Sequence, residues 1–265
     1  MKNNNGCINI VQLSDPHLFA DEQGSMYGLN TLQSLRAVVA EVAQQSFDLG
    51  VVTGDLSQDL QPAAYQHLRQ ALQGLDMPLH LMPGNHDDWS LMTTEFQQGN
   101  ISCIKQVVIG QWQIILLNTQ VVGEVGGYLS DDELNWLEQT LADAAAPNAV
   151  VCIHHHPVDM GCRWLDQIGL HNSDKLFEVL ASHAQVKALL WGHVHQEFDE
   201  SRAGLRLLSC PSTCIQFKPG SDKFELDQRA PGYRWLKLYD DGSLDTGVTR
   251  IDKIPGQIDA SQKGY

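Results

Sequence analysis

The stretch "LMPGNHDDWS", residues 81–90, places an apolar run directly before a cluster of polar side chains. The apolar run stops at Pro83-Gly84, and an amide, an imidazole and two carboxylates follow as Asn85, His86, Asp87 and Asp88. A turn followed by a helix N-cap would use these residue types, because asparagine and aspartate serve both roles. A metal site at the end of a strand would use them too. The rest of the chain decides between the two interpretations.

The totals indicate an ordinary globular protein and disfavour two classes of partner. The chain has 265 residues, enough for one large α/β domain. Its net charge of −15 argues against non-specific binding to nucleic acid or to an anionic membrane, since both require a basic surface. No segment approaches the roughly 20 apolar residues of a membrane span. The opening "MKNNNG", residues 1–6, does not lead into an apolar signal core, so we predict a cytoplasmic location.

The six cysteines are scattered and form no CxxC pair. In a chain of this length the pattern predicts buried free thiols more than a disulfide framework. Cys210 and Cys214 flank "PST" and are a weaker candidate for metal binding.

Apolar strand-like runs alternate with helical patterns in the first half of the chain. Strands are predicted at 8–14, 48–54 and 78–84, and helices at 29–46, at 63–73 and from Asp88 onward. This βαβαβ order predicts a parallel sheet covered by helices.

The second half repeats the alternation. "KQVVIGQWQIILLNT" predicts a hairpin that turns at Gly110-Gln111, and Ser130 with Glu133 forms a capping box at the start of a helix over 130–144. Further predictions are strands at 149–157 and 186–195, a helix at 173–183, antiparallel strands after 204 and a long loop over 216–230. We predict one domain with two sheets.

Five predicted strands end in side chains that can bind metal. They are followed by Asp15 and His17, Asp55, Asn85, His154, and His193 with His195. Open α/β sheets bind ligands beyond the carboxyl ends of their strands. Carboxylate, carboxamide and imidazole ligands together suit Mn, Fe or Zn, and the lack of thiolates disfavours a soft-metal site. Each motif alone has an ordinary explanation as a turn or a cap, but five in this order predict a metal site.

Local spacing supports the same interpretation. Asp15 and His17, and likewise His193 and His195, are separated by one residue, so on extended backbone each pair would face one side. The three adjacent histidines at 154–156 would be costly at a buried strand end without partners. Turns and close backbone approach are permitted by Gly54, Gly84 and Gly192.

The order D-x-H, GD, GNH-acid, H, GHxH resembles the signature of the calcineurin-like metallophosphoesterases and extends over residues 15–195. The resemblance implies a four-layer α/β/β/α sandwich of two mixed sheets with two metal ions at its edge. It implies that residues 204–265, part of the single domain 1–265, add second-sheet strands and a loop near the site. One metal would be held by Asp15, His17, Asp55 and His195. The other would be held by Asp55, Asn85, His154 and His193, which leaves His86 as the unliganded catalytic histidine.

Within that family the chain is similar to the bacterial 3′,5′-cyclic AMP phosphodiesterases. The similar stretches are "GDLSQD", "AAYQHL", "HHHPVDMGCRWLDQ", "GHVHQE" and "PSTCIQFKPGSDKFELDQRAPGYRWLKL". The resemblance implies hydrolysis of cyclic AMP to 5′-AMP, with a bridging hydroxide as nucleophile and His86 as general acid. It implies iron, manganese or a mixed pair as the metals, with zinc also possible. Substrate contacts are expected from His17, Asp55, Asn85, His86, His155 and His195.

The stretch after the GD pair departs from the protein serine/threonine phosphatases. Those relatives carry Asp-Arg-Gly there, whereas "LSQDLQ" follows Asp55 here, which disfavours that class. They also place an acid three residues after the bridging aspartate to orient the catalytic histidine. Here that position is Gln58, followed by Asp59, so the group that orients His86 stays open.

Two other functions remain in view. One is a broad phosphodiesterase or phosphomonoesterase with another substrate, and the second is a non-catalytic scaffold that senses a nucleotide. The complete ligand set argues against the scaffold. Beyond the metals, Arg163, Trp164 and Phe217 lie in loops that would contact ribose or base, or would only pack.

Overall fold

The computed structural model describes residues 6–97 and 99–259. Within them the strands are β1 (Cys7–Leu13), β2 (Ser25–Met26), β3 (Leu29–Asn30), β4 (Leu49–Thr53), β5 (Leu79–Met82), β6 (Ile101–Ser102), β7 (Gln106–Ile109), β8 (Trp112–Leu116), β9 (Asn148–Cys152), β10 (Val186–Trp191), β11 (Phe198–Arg202), β12 (Leu205–Ser209), β13 (Gln216–Phe217), β14 (Leu226–Asp227), β15 (Gly232–Tyr239) and β16 (Leu244–Arg250). The helices are α1 (Thr31–Val42), α2 (Pro62–Leu72), α3 (Trp89–Glu95), α4 (Asp131–Ala142) and α5 (Ser173–Ala181).

Two six-stranded sheets form the centre of the fold. The first has the order β16-β15-β1-β4-β5-β6 and the second β11-β12-β10-β9-β8-β7. An apolar layer that includes Ile10, Val51 and Leu190 fills the space between the sheets. Helices α1, α2 and α3 pack on the outer face of the first sheet, and α4 and α5 on that of the second. The predicted four-layer sandwich of two mixed sheets is confirmed.

The buried side chain of Gln12 links the two sheets directly below the candidate site. From β1 in the first sheet, its Nε2 donates to Thr53 Oγ1 on β4 and to Trp191 O on β10, both at 3.0 Å. Thr53 and Trp191 are the last residues of their strands. The carboxyl ends of strands from both sheets are therefore held together at one edge.

The C-terminal part divides between the sheets, which differs from the expectation that it adds strands to the second. β12 does lie in the second sheet, parallel to β10. β15, however, pairs antiparallel with β1, and β16 extends the first sheet beyond it. The segment 216–230 is not a plain loop either, since β13 and β14 pair within it. The assignment of residues 1–265 to one domain stays a prediction.

Helix starts follow the predicted chemistry. Ser130 Oγ accepts a hydrogen bond from Glu133 N at 3.1 Å, so the predicted N-cap of α4 is confirmed. The Glu133 carboxylate accepts instead from Asn118 N and Lys105 Nζ, both at 2.7 Å, which ties the helix to the sheet. Asp88 caps α3 through Leu91 N.

Two expectations from composition can be compared with the described residues. All six cysteines are free thiols, and four of them are buried. No helix within residues 6–97 and 99–259 is long and apolar enough to cross a membrane. Residues 1–5 of the opening "MKNNNG" lie outside the described part of the chain.

Candidate metal centre

The predicted ligands converge at the carboxyl edge of both sheets. Each lies in a loop that directly follows β1, β4, β5, β9 or β10. Potential ligand atoms lie within 4.8 Å of one another in four overlapping groups: Asp15–His17–His195, His17–Asp55–His86, Asp15–Asp55–His154 and His154–His155–His193. Except for partly exposed His86, every member of these groups is buried.

Left-handed backbone turns these side chains toward the centre. Positive φ angles of 46° to 65° occur at Asp15, His17, Asp55, His193 and His195. The expectation that each Asp/His or His/His pair lies on extended backbone is therefore wrong. Left-handed backbone costs roughly 1–2 kcal/mol per non-glycine residue, and such strain is concentrated at functional sites.

Backbone hydrogen bonds between the loops hold this conformation. Asp15 N donates to Gly54 O at 3.1 Å, and His17 N to Asp55 O at 2.9 Å. His193 N donates to the Asp15 carboxylate at 3.0 Å. Gly84 has no room for a side chain, because a Cβ there would overlap the Asp55 carboxylate. The predicted close approach of glycine backbone is thus found.

Three histidines share one hydrogen-bonding pattern. Nδ1 of His17 lies 2.7 Å from Gln58 Oε1, Nδ1 of His154 lies 2.7 Å from Thr53 O, and Nδ1 of His195 lies 2.9 Å from Ile215 O. Because each partner is an oxygen acceptor, each Nδ1 carries the proton. The Nε2 lone pairs then face the centre. Metal-binding histidines are commonly oriented in this way by an acceptor behind the ring.

The buried atoms at the centre fit a cation. Nε2 of His17 and Nε2 of His195 are only 3.1 Å apart although each carries a lone pair. Both ring nitrogens of His193 and Oδ2 of Asp55 are buried without a hydrogen-bond partner within the described chain. Unpaired polar atoms are costly in a protein interior. A divalent cation would satisfy this oxygen and nitrogen set.

Electrostatics at the centre couples the carboxylates to the imidazoles. Burial opposes ionisation of Asp55, but nearby His154 and His86 hold the pKa of that carboxyl well below its usual range. Burial likewise opposes protonation of His154, yet Asp55, 3.3 Å from its Nε2, raises the His154 pKa to about 9. Burial lowers the pKa of His17 to about 3. In the metal-free protein the charged form of His154, with a second proton on Nε2, is therefore favoured, and a metal ion would displace that proton.

The two GNHD residues singled out by the sequence occupy different positions. Asn85 Oδ1 lies 3.2 Å from His154 Nε2, among the ligand atoms. His86 is partly exposed, and its backbone N–H donates to Asp55 Oδ1 at 2.9 Å. Its ring lies edge-on to His17 with centroids 5.1 Å apart. His86 thus borders the centre from the solvent side.

The second histidine of the HHH run is enclosed by protein. His155 is fully buried, with Nδ1 2.7 Å from Thr119 Oγ1 and Nε2 3.1 Å from Val125 O. This arrangement favours a supporting position behind His154 and argues against the predicted substrate contact. His154 and His155 lie beyond the end of β9, although the sequence predicted that this strand extends to residue 157.

Sequence reasoning missed the roles of several residues that hold this centre. Gln58 accepts from His17, while Asp59 accepts from Ala20 N at 2.8 Å, so these two candidates for orienting His86 have other partners. Gln120 Nε2 donates to Gly84 O at 2.9 Å and to Asp87 O. Gln120 has no local sequence signal, since its partners are more than thirty residues away.

Asp87 is the third residue that was missed, and the signal was present in "GNHD". The residue is 5% exposed, and its carboxylate accepts several backbone N–H groups. Burial and the Asp55 charge raise the Asp87 pKa to about 7, and those N–H groups oppose the rise. Because Asp88 alone is enough to cap the helix, the additional acid Asp87 beside it indicated a role other than capping.

The loops beyond the metal ligands contribute an aromatic cluster. Phe217 is fully buried and stacks on His195, with centroids 4.1 Å apart and planes 6° apart. Trp164 is partly exposed and meets Phe217 edge-on at 5.1 Å, whereas Arg163 is exposed. Phe217 therefore packs behind a candidate ligand, and Trp164 lies one ring further out.

Comparison with known proteins agrees with this geometry. The profile of the family described as calcineurin-like phosphoesterase matches residues 8–197. The chain is 44% identical over 259 residues to the 3′,5′-cyclic adenosine monophosphate phosphodiesterase CpdA of Pseudomonas aeruginosa, covering 97% of this chain and 94% of that protein. It is 46% identical over 261 residues to the protein of the same name from Escherichia coli K12, covering 97% and 95%.

Structural similarity extends to more distant proteins. A crystal structure of a dimetal phosphatase from Danio rerio matches with a TM-score of 0.62 at 16% identity, covering 92% of this chain and 99% of that one. At this identity the match shows a shared fold. Since the family profile spans most of the chain and both bacterial relatives align over nearly all of it, the chain belongs to the calcineurin-like phosphoesterase family.

Proposed function

We propose that this chain is a metal-dependent phosphodiesterase that hydrolyses 3′,5′-cyclic AMP to 5′-AMP. The observation that carries the proposal is the set of three imidazoles whose Nδ1 protons are held by oxygen acceptors and whose Nε2 lone pairs face Asp15 and Asp55. The near-complete alignment with two proteins named as cyclic AMP phosphodiesterases supports the substrate.

Two divalent cations would share this ligand set. We assign Asp15, His17, Asp55 and His195 to one, and Asp55, Asn85, His154 and His193 to the other. The donors are oxygen and nitrogen, which is compatible with iron or manganese and also with zinc. When bound, the metals would supply Lewis-acid charge and lower the pKa of a coordinated water.

The chain's own residues account for the remaining chemistry. Water gives up a proton as its oxygen bonds to phosphorus, the bond from phosphorus to the 3′ oxygen breaks, and that oxygen takes up a proton. An alkoxide is a poor leaving group, so a general acid at this position accelerates the step. We assign that proton to His86, because it borders the centre and is partly exposed to an entering substrate. We also assign phosphate contacts to His17, Asp55, Asn85 and His195, which lie at the proposed metal positions.

A substrate panel tests the assignment. The protein purified without chelator and reconstituted with Mn²⁺ should turn over cyclic AMP faster than 2′,3′-cyclic nucleotides or simple aryl phosphates. Asp55→Ala, which removes the ligand assigned to both metals, should abolish turnover and lower the metal content at both positions. A preference for aryl phosphates would indicate the broad phosphoesterase instead. Nucleotide binding without turnover, in a protein that holds no metal, would indicate the sensing scaffold.

The remaining partner and location assignments are also part of the proposal. A net charge of −15 favours a small-molecule substrate over nucleic acid or an anionic membrane. Six free cysteines suit a reducing compartment, which supports a cytoplasmic location.

A further inference from the structure

Asp87 has an unusually complete set of hydrogen bonds for a side chain with no assigned role. Its Oδ1 accepts from Leu56 N at 3.0 Å, from Ser57 N at 3.1 Å and from Tyr65 OH at 3.2 Å. Its Oδ2 accepts from Gly84 N at 2.9 Å. With 5% of the residue exposed, its contacts are those of a buried structural acceptor and not of a substrate-binding group.

The two loops that follow β4 and β5 hold each other through their carboxylates. Leu56 and Ser57, whose backbone N–H groups bind Asp87, come directly after Asp55. In return, Asp55 Oδ1 accepts from the backbone N–H of His86, the residue before Asp87, at 2.9 Å. Each loop thus supplies one carboxylate to the backbone of the other. The position of Asp55 therefore depends on its own hydrogen bond to His86 N and on those from Leu56 N and Ser57 N to Asp87.

Two further side chains, Gln120 and Tyr65, hold the loop that carries Asp87. Gln120, from the loop after β8 in the second sheet, donates to Gly84 O and to Asp87 O. Tyr65 OH, besides donating to Asp87, accepts from Asp88 N at 2.8 Å. The Asp87 backbone and side chain are therefore anchored by groups from α2 and from the second sheet.

We propose that Asp87 is a positioning residue that fixes Asp55 between the two metal positions, and this inference rests on the metal assignments of the proposed function. An amide in place of the carboxylate turns one of its two acceptor oxygens into a donor, so the N–H of Gly84, or those of Leu56 and Ser57, would face another N–H group, which is costly in a protein interior. The loop at 54–57 would then relax away from the centre. Because Asp55 is assigned to both metals, a change in its orientation should weaken metal binding, most of all at the weaker of the two positions.

The substitution Asp87→Asn tests this, with Asp88→Asn as the matched control. Both changes replace an acid of the same motif by its amide, but asparagine still serves as the N-cap of α3. Affinities for the two Mn²⁺ ions are measured by competition with a chelating dye, at a temperature where near-ultraviolet circular dichroism shows the protein to be folded. The weaker Mn²⁺ affinity should fall roughly 10–100-fold in Asp87→Asn, as for other groups that orient metal ligands, and stay unchanged in Asp88→Asn.

A spectroscopic readout separates positioning from general stability. Two Mn²⁺ ions bridged by Asp55 should give an exchange-coupled paramagnetic resonance signal in the wild type. In Asp87→Asn we expect that signal to be replaced by that of isolated Mn²⁺. A folded Asp87→Asn protein that binds two Mn²⁺ ions with wild-type affinity and an unchanged coupled signal would overturn the inference.

Two other variants keep the test decisive. If Asp87→Asn does not fold, Tyr65→Phe retains the carboxylate and removes one donor to it, and a smaller loss of the same Mn²⁺ affinity is expected; no loss would overturn the inference. Asp55→Ala tests the underlying proposal separately. Two retained metals in Asp55→Ala would refute the proposed metal assignment, whereas their loss, with normal Asp87→Asn, would refute only the role of Asp87.

Discussion

At the scale of single residues, His86 borders the ligand cluster without belonging to its buried interior. We predict that His86→Ala retains both metals and slows cyclic AMP hydrolysis by roughly 10²–10⁴, the loss typical of a general acid. A nitrophenyl diester should be affected much less, because its leaving group needs little protonation. The measurement is turnover of both substrates by wild type and variant at fixed Mn²⁺.

Asn85 supplies the matching control for His86. As an assigned metal ligand, Asn85→Ala should weaken metal binding, which the metal content after gel filtration reports. Equal proportional losses on both substrates in His86→Ala would remove the general-acid role and leave His86 as a phosphate-positioning group.

The histidine run allows a second prediction at this scale. His154 Nε2 faces Asp55, while both nitrogens of His155 are held by Thr119 and Val125. His154→Ala should therefore lose one metal, whereas His155→Ala should keep both with reduced affinity. Metal analysis of the two purified variants decides, and the reverse result would mean that the ligand register is shifted by one residue.

At the scale of elements, the aromatic side chains after β9 and β12 form a path leading away from His195. Trp164 is the partly exposed end of the contact through Phe217. We predict that Trp164→Leu changes the ratio of cyclic AMP to cyclic GMP turnover while metal content stays the same. Trp136→Leu is the control, because Trp136 is also partly buried against the same core but lies on α4, under Lys105. An unchanged ratio in Trp164→Leu would count against a substrate contact there.

The elements also show what local sequence can and cannot predict. The N-caps Ser130 and Asp88 were predictable, because a cap depends on residues three positions apart. The pairing of β15 with β1 was not, since it joins segments more than 200 residues apart and alternation alone does not choose a sheet. β11 was missed because its exposed, charged sequence "FDESR" carries no apolar pattern.

In the candidate centre, too, some features were predictable from local sequence and others were not. The types of the ligands and their order along the chain were predictable from short motifs, because each motif directly follows a predicted strand. The positive φ angles at His17 and His193 were not, because few non-glycine residues adopt that conformation and nothing in the local sequence marks these two. Gln58, Gln120 and Thr119 support the centre across long sequence distances, so only the folded chain identifies them.

At the scale of the whole molecule, the buried histidines predict how stability depends on pH when the metals are removed. The pKa of His17 falls to about 3, so its contribution is present above about 6.5, the usual histidine value, and is lost as the pH falls toward 3. The pKa of His154 rises to about 9, so its contribution is present below about 6.5 and is lost as the pH rises through 9. The contributions of these two histidines are therefore both present in full only near pH 6.5.

Urea unfolding at several pH values in the presence of a chelator measures this dependence. The decline between pH 6.5 and 9 should disappear in His154→Gln, which cannot hold the charge, and persist in His67→Gln, whose histidine lies outside the centre. A decline of the same size in both variants would show that other groups cause it.

The left-handed backbone at Asp15, His17, Asp55, His193 and His195 also bears on how the sequence would evolve in the laboratory. Glycine adopts that conformation without a steric cost, so it would relieve strain at His193, whose ring nitrogens have no hydrogen-bond partner within the described chain. A random library of the metal-free protein screened only for survival of heating, with turnover left out of the screen, should therefore enrich glycine at this codon. Selection for heat stability alone would therefore remove an assigned metal ligand, and turnover would be lost with it.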